Sequence, residues 1–253
     1  MKAFLAFAAA LLLLAIALAI TAPASLLDAR VAALSDGRLR IAEPSGTVWN
    51  GAGDLVLLPR GTRRSVVWHI EAWPLLVGEL RGSVAADVSA PPADFVYGPR
   101  TRALRGFELS LPMDSVLESA GVPAALVGAG GSLAVRVERF TQTPETIDAD
   151  LALQWTDASL PSLRPGLRMA LGDMRLDLRG SGSEVGGALS NRGGDVEIAG
   201  RAAVSYRLAP RIDATIRPRA GIDRDRTEAI VTALSLIGVP DGQGGYRIAW
   251  SGS

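Results

Sequence analysis

The chain contains no cysteine, one histidine (His69) and one lysine (Lys2) among its 253 residues. Without cysteine there is no disulfide framework, thiolate nucleophile, iron–sulfur cluster or Cys-based zinc site, and one histidine cannot build a His-rich metal centre. Lys2 precedes the body, so no lysine is available there for a P-loop or a Schiff base. Excess charge is missing too. The 25 arginines are interleaved with 26 acids, which gives no field for a phosphate backbone and excludes nucleic acid as a partner.

Aromatic residues are scarce, yet five of them are tryptophan: Trp49, Trp68, Trp73, Trp155 and Trp250. Buried rings contribute most to core energetics, so these are expected to be core residues and not a binding platform. His69 lies in Val66-Val67-Trp68-His69-Ile70-Glu71, where alternation turns it to solvent with Val67 and Glu71. No G-x-S-x-G occurs anywhere, so no Ser-His-acid triad is expected. The glycines Gly128-Ala129-Gly130-Gly131 precede a strand pattern and open no helix, which argues against a phosphate cradle. Asp223 to Glu228 lacks the sixth-position glycine and distal acid of a calcium loop, and reads as a helix entry. No catalytic, cofactor-binding or metal-ligating residue is assigned.

One long apolar run is present. Ala3 to Ala22 holds 19 apolar residues out of 20, and at 1.5 Å per helical residue such a length matches a bilayer core of about 30 Å. We read it as an uncleaved transmembrane anchor. The competing reading is a signal peptide cleaved after Ala22-Pro23-Ala24, although a signal core of about 7 to 15 residues is shorter than this run. The long domain that follows favours translocation of the body.

Beyond the run, alternation replaces helical period. Ile147, Ala149, Leu151, Leu153 and Trp155 share one face of 145–155, and Met174, Leu176 and Leu178 share one face of 168–179. The same pattern predicts strands over 66–72, 80–88, 103–111, 133–137, 196–198, 202–208, 212–216 and 246–250, with turns at Pro91-Pro92, Asn191 to Gly194, Pro210 and Asp241-Gly242. One wet face per strand implies antiparallel pairing. Two helices are expected, over 114–121 with the pair Ser115/Glu118 at capping-box spacing, and over 225–238 with Asp225/Glu228 at its start.

Leu117 to Pro123 also echoes Leu234 to Pro240, each followed by Gly-Gly and a strand. The expected fold is mainly β: an N-terminal transmembrane helix, then a curved antiparallel sheet with two short helices, built as two related sheet-plus-helix units. The segments are 1–24 (stub and anchor), 25–140 and 141–253, the last two packing separately or as one domain.

The segment Glu43 to Gly53 contains Gly46-Thr47-Val48-Trp49-Asn50-Gly51, which fits a pattern G-T-[hydrophobic]-W-x-G. Downstream, Trp68 to Gly78 with Trp73-Pro74-Leu75-Leu76 approximates W-x-x-x-x-x-P-L-x-L-x-G. Then come Asn191 to Val196, including Gly194; the segment with Gly238 and Pro240; and Gly244 to Gly252, including Trp250. In this order and spacing the chain resembles type II secretion system protein N.

That resemblance implies a bitopic inner-membrane protein of a Gram-negative bacterium, with its C-terminal body in the periplasm. It implies a structural or assembly role in export of folded proteins across the outer membrane, no enzymatic activity and no cofactor. The implied partners are other secretion-system subunits, on the inner-membrane platform or the secretin side, with a single membrane span. The signature residues Gly46, Thr47, Trp49, Gly51, Trp73, Pro74, Gly194, Gly238, Pro240 and Trp250 would serve as structural or interface positions. Gly46 and Gly51 are expected to bracket a strand start, with Trp49 filling the core. The alternative is a periplasmic lipid-binding or lipid-transfer protein with an apolar β groove.

Overall fold

The computed structural model describes residues 20–58, 62–86, 90–119, 128–161 and 168–252. Nearly all of the expected anchor, Ala3 to Ala22, lies outside them. Among the described residues no helix is long and apolar enough to cross a membrane. The chain divides into two compact units, Met1–Tyr97 and Gly98–Ser253. Residue 140, the expected boundary, lies inside a strand, Gly130–Gln142.

Unit one opens with a helix, α1 (Ser25–Leu34), followed by β1 (Leu39–Gly46), β2 (Asn50–Leu57), β3 (Thr62–Glu71), β4 (Leu80–Ala85) and β5 (Ala93–Tyr97). These strands form an antiparallel meander in which every strand neighbours the next in sequence. Its core is Ala24, Ile41, Trp68 and Ile70, against which Leu27 and Val31 of α1 pack together with Trp49, Leu55, Val66, Leu80 and Phe95. The alternation read from Val66 to Glu71 holds: Trp68 and Ile70 are buried, and His69 is exposed.

Helix α1 was not expected. It has no side-chain cap and its apolar composition continues the run before it, so no start signal marks it. What fixes it to the sheet is Asp28. Its Oδ1 accepts from Arg40 Nε at 2.9 Å and from the Ile41 backbone N–H at 2.8 Å, and its Oδ2 accepts from Arg40 Nη2 at 2.6 Å.

The Arg40 guanidinium, followed by the Ile41 N–H, holds the Asp28 carboxyl below its ordinary value. A depressed carboxyl stabilises the fold above the unfolded value of about 3.9 and loses that contribution as pH falls through the folded value. We therefore expect Asp28→Asn to be less stable than the parent at neutral pH, with the difference closing below about pH 4. Urea unfolding midpoints of both proteins across pH check this, and a difference independent of pH would contradict it.

Unit two runs β6 (Arg102–Pro112), α2 (Met113–Ser119), β7 (Gly130–Gln142), β8 (Ile147–Pro161), β9 (Arg168–Gly182), β10 (Glu184–Arg192), β11 (Val196–Ser205), β12 (Pro210–Pro218), α3 (Arg224–Ile237), β13 (Val239–Pro240) and β14 (Tyr246–Ser251). The strands follow chain order and pair antiparallel, except that β14 lies between β12 and β13. Val196–Ser205 is one strand where the sequence suggests two, because Ala199 to Arg201 keep pairing across Gly200.

Helix α3 lies on one face, where Ile230 and Leu234 join Ala158, Leu171, Val196 and Ile198 in a buried core. On the wet face arginines meet acids across strands: Arg136 with Glu108 at 2.9 Å, Arg179 with Asp150 at 3.0 Å, and Arg247 with Asp213. This is where the balanced charge goes, each exposed pair being screened by water and adding little to stability.

Both helix starts differ from expectation. Helix α2 begins at Met113, so Ser115 is a buried residue of its first turn, with its N–H bonded to Asp114 Oδ1 at 2.7 Å. Its expected end at Gly121 lies outside the described residues. In α3 the cap is Asp223, whose extended backbone lets Oδ1 accept from Arg226 N–H at 2.8 Å.

Candidate interaction surfaces

The signature Gly46 to Gly51 is a hairpin turn that runs from the end of β1 into the start of β2 at Asn50. Gly46 closes β1 at φ +84°, and residues 47–49 reverse the chain. The Thr47 hydroxyl accepts the Asn50 N–H at 3.1 Å, while the Thr47 N–H donates to Asn50 O at 2.8 Å. That locked turn leaves the Thr47 carbonyl free to accept the indole N–H of Trp68 at 3.2 Å. Gly51 stands opposite Trp68 across the β2–β3 pair, and a Cβ there would fall on the indole, 2.8 Å from Cε2. The signature is thus a cradle for Trp68, which is 7% exposed; Trp49 packs at the edge of the same core and is only partly buried.

Trp73 and Pro74 form a second feature. Between β3 and β4 the chain makes a single 3₁₀ turn, Trp73–Val77, closed by Gly78 at φ +77°. Trp73 is 82% exposed, Leu76 74% and Val77 73%, with Leu75 also exposed. The expectation of a core tryptophan fails here because, among the described residues, none packs over this closed turn at the end of the sheet.

In unit two, Gly194 lies in the β10–β11 turn at φ +76°, where a Cβ would come 2.6 Å from the Gly172 nitrogen. Around it Asn191 and Asp195 bond to neighbouring strands. Asn191 Nδ2 donates to Leu171 O and to Val196 O (2.9 Å), and Asn191 Oδ1 accepts from Ile198 N–H at 2.8 Å. Asp195 is buried; its carboxylate accepts from Ala170 N–H at 2.9 Å and Arg226 Nη1 at 3.2 Å. Asp195 was not singled out from sequence, although a carboxylate following two turn glycines is the available signal.

The C-terminal signature residues flank an edge. Gly238 ends α3 in an extended conformation, 3.0 Å from Tyr246 Cβ if it carried a Cβ of its own, and Pro240 pairs with Tyr246. Strand β13 covers β14 only at Tyr246 and Arg247. Beyond them Trp250 is 54% exposed, a second departure from the core expectation, and Leu236, Ile237 and Val239 are exposed as well. The ten signature positions therefore do not converge on one site. Gly46, Thr47, Trp49 and Gly51 meet at the β1–β2 turn, Trp73 and Pro74 lie at the β3–β4 connection, Gly194 sits in the turn that Asn191 and Asp195 bond across, and Gly238, Pro240 and Trp250 lie at the end of α3 and on β13 and β14.

No group of three or more metal-capable side chains occurs among the described residues. Fold and surfaces define a mainly β, antiparallel protein whose unusual features are exposed apolar turns and edges. The chain belongs to the type II secretion system (T2SS), protein N family, whose model matches residues 37–249. Membership implies a role in type II secretion and an envelope-associated location. No curated protein and no solved structure matches the chain significantly.

Proposed function

We propose that this chain is a non-enzymatic assembly subunit of the type II secretion apparatus, held in the inner membrane by residues 3–22 with its body in the periplasm. The observation that carries the reading is the open end of β14. Among the described residues β13 pairs with β14 only at Tyr246 and Arg247; Trp250 on β14, Val239 on β13, and Leu236 and Ile237 at the end of α3 are all exposed. Such an edge offers main-chain hydrogen bonds and an apolar contact to another subunit. Lipid carriage is less well supported, because α1 and α3 already pack on the apolar sheet faces. The two related units expected from the echo stay part of the proposal, since residues 120–127 lie outside the described ones.

A photo-crosslinking residue at position 250, compared with one at Arg136 on the wet face, tests this in cells carrying the apparatus. Adducts from position 250 that mass spectrometry identifies as secretion-system subunits are expected. Equal adducts from both positions, or phospholipid co-purifying with the full chain in place of subunits, would sink the assembly reading.

A further inference from the structure

The turn Trp73–Val77 presents five apolar residues in succession, Trp-Pro-Leu-Leu-Val, with Trp73, Leu75, Leu76 and Val77 exposed. Its backbone is largely satisfied internally. Leu75 N–H donates to Ala72 O at 3.3 Å, Gly78 N–H to Leu75 O at 3.1 Å, and Glu79 N–H to Pro74 O at 3.0 Å. A turn that spends its polar groups on itself and points its side chains outward costs little to move into hydrocarbon, where unbonded backbone is expensive.

The position of the turn says which apolar medium is at hand. In the unit-one meander the β1–β2 turn and the β3–β4 connection fall at the same end, as strand direction requires. The chain arriving from the apolar run is tied to that end: Val48 N–H donates to Ala22 O at 2.9 Å, Ala24 N–H donates to Gly46 O at 3.2 Å, and Pro23 bridges to Thr47. The β1–β2 turn is joined in turn to the end of β3, where Ile70 N–H donates to Trp49 O at 2.7 Å. Three residues later the 3₁₀ turn begins. The run of 19 apolar residues in 20 thus ends at the same end of the sheet as the exposed tryptophan and its aliphatic neighbours.

We propose that Trp73–Val77 is a second membrane contact, inserted into the headgroup and upper acyl region of the bilayer that the N-terminal run enters. The inference rests on the anchored reading above. Tryptophan favours that depth, with its ring partly in hydrocarbon and its N–H in reach of water or headgroups. The charged residues that flank the turn in sequence are Glu71, opposite Arg81, and Glu79, which accepts from Arg81 at 2.6 Å. With two acids and one arginine there is no net attraction to anionic lipid, so the contact is apolar and does not depend on acidic headgroups. One span leaves a body free to swivel, whereas a span plus an inserted turn fixes the tilt and rotation of unit one against the membrane.

The absence of cysteine makes the test direct. Leu76→Cys and, on β3 away from this end, Ser65→Cys are each labelled with an environment-sensitive fluorophore in the full chain and reconstituted into phosphatidylcholine vesicles. The Leu76 label is expected to shift blue, to lose quenching by aqueous iodide and to gain quenching by lipids spin-labelled near the headgroup; the Ser65 label should do none of these. Equal iodide quenching at both positions in a chain that stays with the vesicles would overturn the insertion and leave the anchor standing. Protection of Leu76 from iodide without quenching by spin-labelled lipid would also overturn it, because protein would then be the cover. A chain that does not stay with the vesicles would overturn the anchored reading and the insertion with it.

Discussion

Trp68→Ala is expected to destabilise unit one by about 3 to 5 kcal/mol, the range for removing a large buried aromatic ring, while Trp49→Ala costs clearly less. Both residues are indoles, Trp68 on β3 and Trp49 in the β1–β2 turn, and the signature motif contains Trp49 and not Trp68. The difference lies in what each ring touches. Trp68 is held from three sides: by the Thr47 carbonyl on its N–H, by the bare Cα of Gly51 opposite it, and by Ile41, Ile70 and Ala24 in the same core. Its removal leaves a cavity and an unused acceptor together. Trp49 lies partly open at the rim, so its loss removes contacts without opening a hole. Gly51→Ala should reproduce part of the Trp68 defect, since the added Cβ displaces the indole. Urea unfolding of the full chain, with hydrogen exchange of the β2 and β3 amides as the local readout, orders the three variants. A larger loss from Trp49→Ala than from Trp68→Ala would contradict the cradle.

That pair shows where legibility ended. Alternation located β3, β4, β6, β7, β8, β9, β12 and β14 because each strand has one wet face, so its apolar residues repeat every second position. Three of the strands that escaped carry little local strand signal. Asn50-Gly51-Ala52-Gly53-Asp54 of β2 and Val185-Gly186-Gly187-Ala188 of β10 are small-residue stretches, made strands by the ladders on either side. β1 contains Pro44 and a positive-φ Glu43 at a register shift, which reads locally as a turn. In the same way the burial of a tryptophan depends on what surrounds it: Gly51 opposite Trp68 leaves room for the indole, whereas Trp73 stands out on a turn and Trp250, opposite Ile212 of β12, lies beyond the part of β14 that β13 pairs with. The motif residues could be found in the sequence; the partner that Gly51 and Thr47 serve lies 17 and 21 positions away and needed the strand register.

Asp195→Ala is expected to cost about 1 to 3 kcal/mol, the range for leaving a buried hydrogen-bonding group without its partner. Asp195 ties three elements of unit two at one point. Its side chain takes the Ala170 N–H of β9 and the Arg226 guanidinium of α3, and its main chain bonds Ala170 O at 2.7 Å and Arg219 N–H at 2.9 Å. Alanine leaves the Ala170 N–H without its carboxylate and frees the first turn of α3, which covers the core residues Val196, Ile198 and Leu171. Asp195→Asn should cost less, because an amide oxygen still accepts from Ala170 while only the charge facing Arg226 is lost. Arg226→Ala should cost least, since its guanidinium is half exposed and also pairs with Asp223 at 3.2 Å, a contact water replaces readily. The order Asp195→Ala, Asp195→Asn, Arg226→Ala in urea midpoints would identify the backbone bond, and not the ion pair, as the main source of stability. Equal losses for all three would assign it to the ion pair, with the turn after Gly194 acting only to place a charge under the helix.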